Sequence, residues 1–200
     1  MPKVRIAVIV EGHGEVEAVP ILIRRIAQTI KSDVVPEVLT PLRVPANRLI
    51  KQGELERSVD LAARKIGGNG GIIVLIDCDW EGCCPAEDGP RLLERALSVR
   101  KDLPIAVVLA KNEFEAWFLA AAESLQGKRG LPWDLQPPED PENIRGAKEW
   151  LSKKMISGRA YAETTDQPAL TAEFDMNAAR RDSSFDKCFR DIERILKRVH

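Results

Sequence analysis

Six acidic residues follow apolar runs of this sequence, where carboxylates can bind metal ions or transfer protons. They are Glu11 and Glu15 after VRIAVIV, Asp77 and Asp79 at the end of GIIVLIDCD, and Glu113 and Glu115 after LPIAVVLA. Carboxylates that lie close together repel one another, and divalent cations that prefer oxygen ligands relieve this repulsion. Two such ions can stabilise both the attacking and the leaving oxygen of a phosphodiester displacement. The pattern therefore predicts an Mg²⁺ or Mn²⁺ site that acts on phosphodiesters.

The elements that would hold these acids alternate between strand and helix. Continuous apolar runs at VRIAVIV, GIIVLID and LPIAVVLA are typical of strands buried on both faces, and VVPEVLTPLRV predicts a weaker strand. Helical patterns follow over Glu15 to about Ile30, GELERSVDLAARKIGGNGG, GPRLLERALSVRK and EFEAWFLAAAESL. This order predicts an α/β fold with a mostly parallel central sheet flanked by helices. Since ligands bind at the carboxyl edge of such a sheet, the acids should meet there.

We expect three segments along the chain. An α/β domain should span residues 1–127, and a Pro-rich linker or loop should follow over residues 128–143, where LPWDLQPPEDPEN breaks the helical pattern. Residues 144–200 carry three short helical patterns, IRGAKEWLSKKM, QPALTAEFDMNAARR and SFDKCFRDIERILKRV. Because Phe185, Phe189 and Ile192 need burial, these helices should form a cover packed on the first domain.

The turn from Glu11 to Glu15 does not fit the glycine-rich motifs that bind phosphate. Glu17 stands where GxGxxG needs its third glycine, and no P-loop GK[ST] motif is present. We expect the turn to let Glu11 reach a metal ion, which would then bind the phosphate. His13, within the turn, could assist a proton transfer.

The overall composition is balanced in charge. With 30 basic and 31 acidic residues the net charge is -1, so only local patches could bind nucleic acid. No secretory signal and no apolar run of roughly 20 residues is present, so we expect a soluble, cytoplasmic protein without a membrane span. The four cysteines (Cys78, Cys83, Cys84 and Cys188) should then be reduced thiols, and they lack the spacing of a structural zinc site.

Two segments resemble a known nucleic-acid-processing domain. VIVEGHGEVEAVPILIRRI followed by IIVLIDCDWEG is similar to the TOPRIM domain, a Rossmann-like fold shared by topoisomerases, bacterial primases, recombination-repair proteins and OLD-family nucleases. That domain has one strand ending in Glu-Gly and a later strand ending in Asp-x-Asp. The additional acid at Glu15 resembles the OLD-type branch. NEFEAWFLAA and the tail YAETTDQPALTAEFD with SSFDKCF resemble a small stand-alone TOPRIM-related family of bacterial proteins of unassigned function.

The resemblance implies a metal-dependent fold acting on DNA or RNA, in a defence or repair system. The metal ligands it implies are Glu11, Glu15, Asp77, Asp79 and Glu115. Glu11 is also the candidate general base, and Lys111 would stabilise charge on the transferred phosphate. Because OLD-type relatives have an ATPase domain attached or encoded nearby, the resemblance also implies a separate ATPase partner.

Each acid also has a purely structural interpretation. Glu15 suits the first turn of a helix through the helix dipole alone, and Asp77 and Asp79 could cap the next helix. Glu113 and Glu115 fall on different faces of a helix, so only one of them should point at the site, and the resemblance favours Glu115.

Two further features depend on where the fold places them. Trp80, beside Asp79, could stack on a base at the mouth of the site, whereas Trp117 and Trp150 should be core residues. The basic C-terminal segment RDIERILKRVH becomes a phosphate-binding flank only if it borders the acidic edge of the sheet.

Three functions agree with these patterns. The first is a metal-dependent nuclease, and the second is a non-catalytic TOPRIM-like module that binds an ATPase partner or nucleic acid. The third is a phosphotransferase that acts on nucleotide sugars, since Asp-x-Asp also serves such enzymes. The sequence does not choose between DNA and RNA, between endo- and exonuclease action, or between one metal ion and two, and it leaves the oligomeric state open.

Overall fold

A parallel β-sheet forms the centre of the structure, a computed structural model that describes residues 1–156 and 158–199. Its strands are β1 (Lys3–Val10), β2 (Val35–Val38), β3 (Leu42–Arg43), β4 (Gly70–Cys78) and β5 (Ile105–Lys111). The strand order is β2-β1-β4-β5, β3 also pairs with β1, and every pairing is parallel. The carboxyl ends of β1, β4 and β5 therefore share one edge of the sheet, as predicted.

Helices cover both faces of this sheet, which confirms the predicted α/β architecture. They are α1 (Glu15–Thr29), α2 (Ala46–Leu49), α3 (Glu54–Ile66), α4 (Pro85–Val99), α5 (Ala116–Ala120), α6 (Ala147–Lys154), α7 (Glu163–Glu173), α8 (Met176–Ala179) and α9 (Ser183–Arg198). Short 3-10 helices lie at Ala122–Leu125 and Pro141–Asn143. Helices α3 and α4 pack on one face, α1 and α9 pack on the other, and α7 packs on α1. No helix within the described ranges is long and apolar enough to cross a membrane.

The alternation of strand side chains explains why the strand sequences are continuously apolar. In β1, Val8 and Val10 join the core on the α1 side, whereas Ala7 and Ile9 join the core on the α3 side. A strand covered on both faces needs apolar residues at every position. Phe185 of α9 belongs to the same core cluster as Val8, so the C-terminal helices complete the core of the sheet.

Two predicted elements differ in detail from the structure. VVPEVLTPLRV forms two short strands, β2 and β3, because Pro36 and Pro41 lack the N–H that a longer ladder needs. The helix predicted over EFEAWFLAAAESL shortens to α5 and ends in a 3-10 turn. Ser124 stabilises this turn, since its Oγ donates to the Ala121 carbonyl at 2.6 Å and accepts the Asp175 N–H at 2.8 Å.

One disulfide corrects the expectation that all cysteines are reduced. Cys78 and Cys83 are bonded, while Cys84 and Cys188 are free. The expectation considered only the cellular compartment, but the loop after β4 turns back and brings the two Cα atoms to 5.6 Å, within disulfide range. The disulfide therefore closes the loop between β4 and α4.

Candidate functional site

Four carboxylates converge at the carboxyl edge of the sheet. Glu11 follows β1, Glu15 begins α1, Asp77 lies at the end of β4, and Glu115 directly precedes α5. Burial raises the pKa of Asp77 well above its usual value, and the charges of Glu15, Glu115 and Glu11 raise it further. We call these four residues the acidic cluster.

The glycine-rich turn after β1 presents its amides to carboxylates of the protein itself. The N–H groups of Glu11 and Gly12 donate to Glu15 Oε2 at 3.0 and 2.9 Å, and the Gly14 N–H donates to Glu163 Oε1 at 3.0 Å. A side chain at Gly14 would collide with Glu163, so this position needs glycine. In a P-loop such backbone amides bind a phosphate, whereas the amides of this turn already donate to Glu15 and Glu163.

Hydrogen bonds orient Asp77 and Glu115. Asp77 Oδ1 accepts the Phe114 N–H at 2.9 Å, which ties the end of β4 to the segment after β5. Glu115 Oε1 accepts the Tyr161 hydroxyl at 2.8 Å and the Gln167 side-chain amide at 3.1 Å. The segment after residue 144 therefore contributes directly to the site.

Three buried oxygens of the acidic cluster have no hydrogen-bond partner among the described residues. They are Glu11 Oε2, Glu15 Oε1 and Glu115 Oε2. Buried polar atoms are nearly always bonded, so such exceptions call for a ligand, and carboxylate oxygens are the donors that Mg²⁺ and Mn²⁺ prefer. The donor set thus fits a hard divalent cation. Within residues 1–156 and 158–199, no three acidic, His or Cys side chains stand together in ready metal-binding geometry, so binding would require the side chains to draw closer.

The acidic cluster titrates far above the usual carboxylate range. Burial, reinforced by the charge of Asp79, raises the pKa of Glu11 to about 7. Burial likewise raises the pKa of Glu15 to about 8 and that of Glu115 to about 7. Near neutral pH the cluster therefore binds protons readily, or it needs a compensating cation.

Lys148 of α6 is a cation that faces this cluster. Its Nζ lies 3.9 Å from Glu115 Oε2 and 3.6 Å from Glu163 Oε2. Burial acts to lower the pKa of Lys148, but the charges of Glu115, Asp77 and Glu163 outweigh it and raise the pKa above its usual value. The sequence patterns did not identify Lys148, Tyr161, Glu163 or Gln167, because only folding brings the C-terminal segment to the strand ends.

Two predicted site residues lie in other contacts. Lys111 Nζ donates to Glu142 Oε2 at 3.3 Å. Glu113 Oε2 accepts the Lys148 N–H at 3.2 Å, at the beginning of α6. The structure thus places Glu115 in the acidic cluster and Glu113 at the start of a helix.

The acidic cluster opens to solvent beside Asp79. Glu11, Asp79 and Trp80 line a cavity of about 300 Å³ together with the segment around α2. Asp79 itself is exposed, and so is His13. A larger cavity of about 550 Å³ lies near the C-terminal end of α1 and has no acidic lining residue, so the smaller one is the candidate site.

The basic half of the C-terminal helix does not border the acidic edge, so the condition for a phosphate-binding flank there is not met. Ser184 at the start of α9 accepts the Lys111 N–H at 3.1 Å, whereas Arg194 reaches the Ile105 carbonyl at the start of β5. Helix α9 thus runs antiparallel to β5, and its basic half lies at the opposite edge. Its cations also pair with acids of the same helix (Arg190 with Asp186, Arg194 with Asp191, Lys197 with Glu193).

Comparison with known proteins gives a family and one distant structural likeness. A family model described as "Domain of unknown function (DUF4276)" matches residues 10–193. The chain is also similar to a solved structure, the C-terminal region of the Burkholderia pseudomallei OLD protein. The identity is 16%, the TM-score is 0.45, and the match covers 98% of this chain and 99% of that chain. No curated protein matches the chain significantly. The structural likeness is too distant to transfer residue roles.

Proposed function

The chain belongs to the DUF4276 family, and from its acidic cluster we propose that it is an Mg²⁺- or Mn²⁺-dependent nuclease that hydrolyses phosphodiesters of nucleic acid. The observation that carries the proposal is a set of three buried carboxylate oxygens at the carboxyl edge of the sheet that accept no hydrogen bond from the described residues. Such oxygens are costly unless a cation binds them. The role in defence or repair and the separate ATPase partner stay predictions from the resemblance.

The proposed metal ligands are the acidic cluster and Asp79 at its mouth. A bound divalent cation would stabilise the charge on the attacking and leaving oxygens. Tyr161 and Gln167 hold Glu115 in place through its Oε1, whereas its Oε2 accepts no hydrogen bond from the described residues. Outer hydrogen-bond partners of this kind fix the orientation of metal ligands. Glu11 is half-buried at the cavity, and we propose it as the group that takes the proton of an attacking water.

We assign to Lys148 the charge-stabilising role that the sequence suggested for Lys111. Its ammonium group faces Glu115 and Glu163, whereas that of Lys111 faces Glu142. A cation beside several carboxylates makes the site less repulsive to an anionic phosphodiester.

The test is cleavage of plasmid DNA, single-stranded DNA and RNA by the purified protein, with Mg²⁺, Mn²⁺ or EDTA. Asp77→Asn and Glu115→Gln should reduce metal-dependent cleavage by more than the roughly 10- to 100-fold that loss of an outer partner costs. Asp102→Asn is the matched control, because Asp102 precedes β5 at the opposite edge and pairs with Arg100. Cleavage that persists in EDTA, or in Asp77→Asn, would refute the proposal.

Two observations favour a second function, a non-catalytic module that binds a partner or nucleic acid. Lys148 already compensates part of the negative charge, and the described side chains do not stand in ready metal-binding geometry. If the module hypothesis is right, every substrate stays intact and Mn²⁺ leaves the melting temperature unchanged.

A further inference from the structure

We propose that an unpaired nucleobase stacks on Trp80 in a groove beside the acidic cluster, so that the substrate is single-stranded where it is cut. The inference deepens the proposed function and rests on it. The groove consists of two adjoining cavities that share Ile50 and Trp80 as a common wall, and we call it the Trp80 groove.

The two cavities have the size and lining of a binding site. The first, of about 300 Å³, contains Glu11 and Asp79, and the second, of about 250 Å³, is lined on α4 by Asp88, Arg91, Leu92 and Arg95. Together they fall in the range of small-ligand sites, roughly 300–1,000 Å³. The shared side chains of Ile50 and Trp80 therefore lie between an acidic end and an end where two arginines outnumber one aspartate.

The local structure holds Trp80 as a fixed platform. The Cys78–Cys83 disulfide closes its loop, and the Cys83 N–H donates to the Trp80 carbonyl at 3.1 Å. The indole is half-buried and packs against the core on the α3 side, which leaves part of it accessible at both cavities. A pre-ordered aromatic surface loses little entropy when a base stacks on it.

The order of charges along the groove matches a short stretch of nucleic acid. The acidic end would bind the scissile phosphate through metal ions, and the base would lie on Trp80. The next phosphate would then meet Arg91, whose side chain is 75% exposed and pairs with Asp88 at 3.0 Å. In a duplex each base is stacked and paired within the helix, so only an unpaired base can present a face to Trp80.

The experiment measures binding by fluorescence anisotropy, with labelled oligo-dT, oligo-U and a blunt duplex hairpin, in EDTA and in Ca²⁺. The wild-type protein should bind the single strands more tightly than the hairpin. Trp80→Ala should weaken single-strand binding about tenfold, and Trp80→Phe should weaken it less, because phenylalanine can still stack. Arg91→Ala should weaken binding and reduce its dependence on salt.

Trp133→Ala is the control, because Trp133 is 82% exposed and lies outside the groove. The inference is overturned if Trp80→Ala binds single strands as tightly as the wild type does. It is also overturned if Trp133→Ala weakens single-strand binding as much as Trp80→Ala does, or if the wild type binds the hairpin as tightly as the single strands. Thermal melting of each variant identifies any loss caused by unfolding, and Trp80→Phe keeps the test valid if the alanine variant fails to fold.

This design separates the inference from the proposed function. Trp80-dependent binding without cleavage would support the groove and refute the nuclease. Metal-dependent cleavage with unchanged binding by Trp80→Ala would support the nuclease and refute the groove.

Discussion

At the scale of single residues, Glu115 is one of four carboxylates that make the stability of the protein depend on pH. It is fully buried, accepts bonds from Tyr161 and Gln167, and faces Lys148. Burial raises its pKa from the usual 4.5 to about 7. Between these values the folded protein binds more protons than the unfolded chain, so the free energy of unfolding must fall as the pH rises through this range.

We therefore expect the metal-free protein, in EDTA, to melt at a lower temperature at pH 8 than at pH 5. Glu115→Gln should flatten this dependence partly, because Glu11, Glu15 and Asp77 still contribute in the same direction. Glu149→Gln, at an exposed position of α6, should leave the decrease of the melting temperature with pH unchanged. Calorimetry at several pH values checks this, and an equal slope in Glu115→Gln and the wild type would contradict it.

A second prediction compares the two lysines. Lys148→Met removes the cation that faces the acidic cluster and should reduce the single-turnover cleavage rate by about 100-fold or more, on the scale of one lost charge-stabilising group. Lys111→Met breaks only the contact with Glu142 and should leave the rate nearly unchanged. If Lys111→Met reduces the cleavage rate more than Lys148→Met does, Lys111 is the charge-stabilising residue instead.

These residues also show how far sequence reasoning reaches. Glu11, Asp77 and Glu115 could be predicted to meet, because each follows an apolar run and parallel strands end at a common edge. Lys148 and Tyr161 could not be predicted to join them, because the local sequence pattern of their segment predicts only helices. Their proximity to Glu115 is a tertiary contact between distant parts of the chain.

At the scale of elements, the loop between β4 and α4 carries both Asp79 and Trp80. Its closure by the Cys78–Cys83 disulfide could not be predicted from the spacing, which also suits free thiols. Likewise α2, which contributes to the cavity at Glu11, is a single turn too short to show a hydrophobic period. The long strands were predictable because their burial on both faces leaves a continuous apolar signature.

Reduction of this disulfide should lower the free energy of unfolding by about 2 kcal/mol, the amount expected from chain entropy for so short a loop. Urea unfolding with and without a phosphine reductant measures the change. Cys83→Ala is the control, because without the disulfide its stability should not respond to the reductant. A reductant effect of the same size in Cys83→Ala would contradict this explanation.

At the scale of the whole molecule, the segment after residue 144 is part of both the core and the site. Phe185, Ile192 and Leu196 share a core cluster with β1, and Glu163 bonds the turn before α1. The sequence predicted a cover over the sheet from these apolar residues. It did not predict that the cover contributes polar groups to the acidic edge.

We expect a chain that ends at residue 143 to lose cooperative folding, because the part of the sheet that α9 covers, over β4 and β5, would be exposed. Its heat-unfolding transition should be broad or absent, and it should bind a hydrophobic dye that the full chain does not bind. A sharp transition in the shortened chain would show that residues 1–143 fold independently.

The hydrogen bond from Gly14 to Glu163 has a consequence for protein synthesis. On the ribosome, the strands with their acids emerge well before α6 and α7, so the nascent polypeptide carries the carboxylates without Lys148, Tyr161 or Gln167. The candidate site can be completed only after translation has passed residue 167, so its assembly waits for the segment that carries α6 and α7.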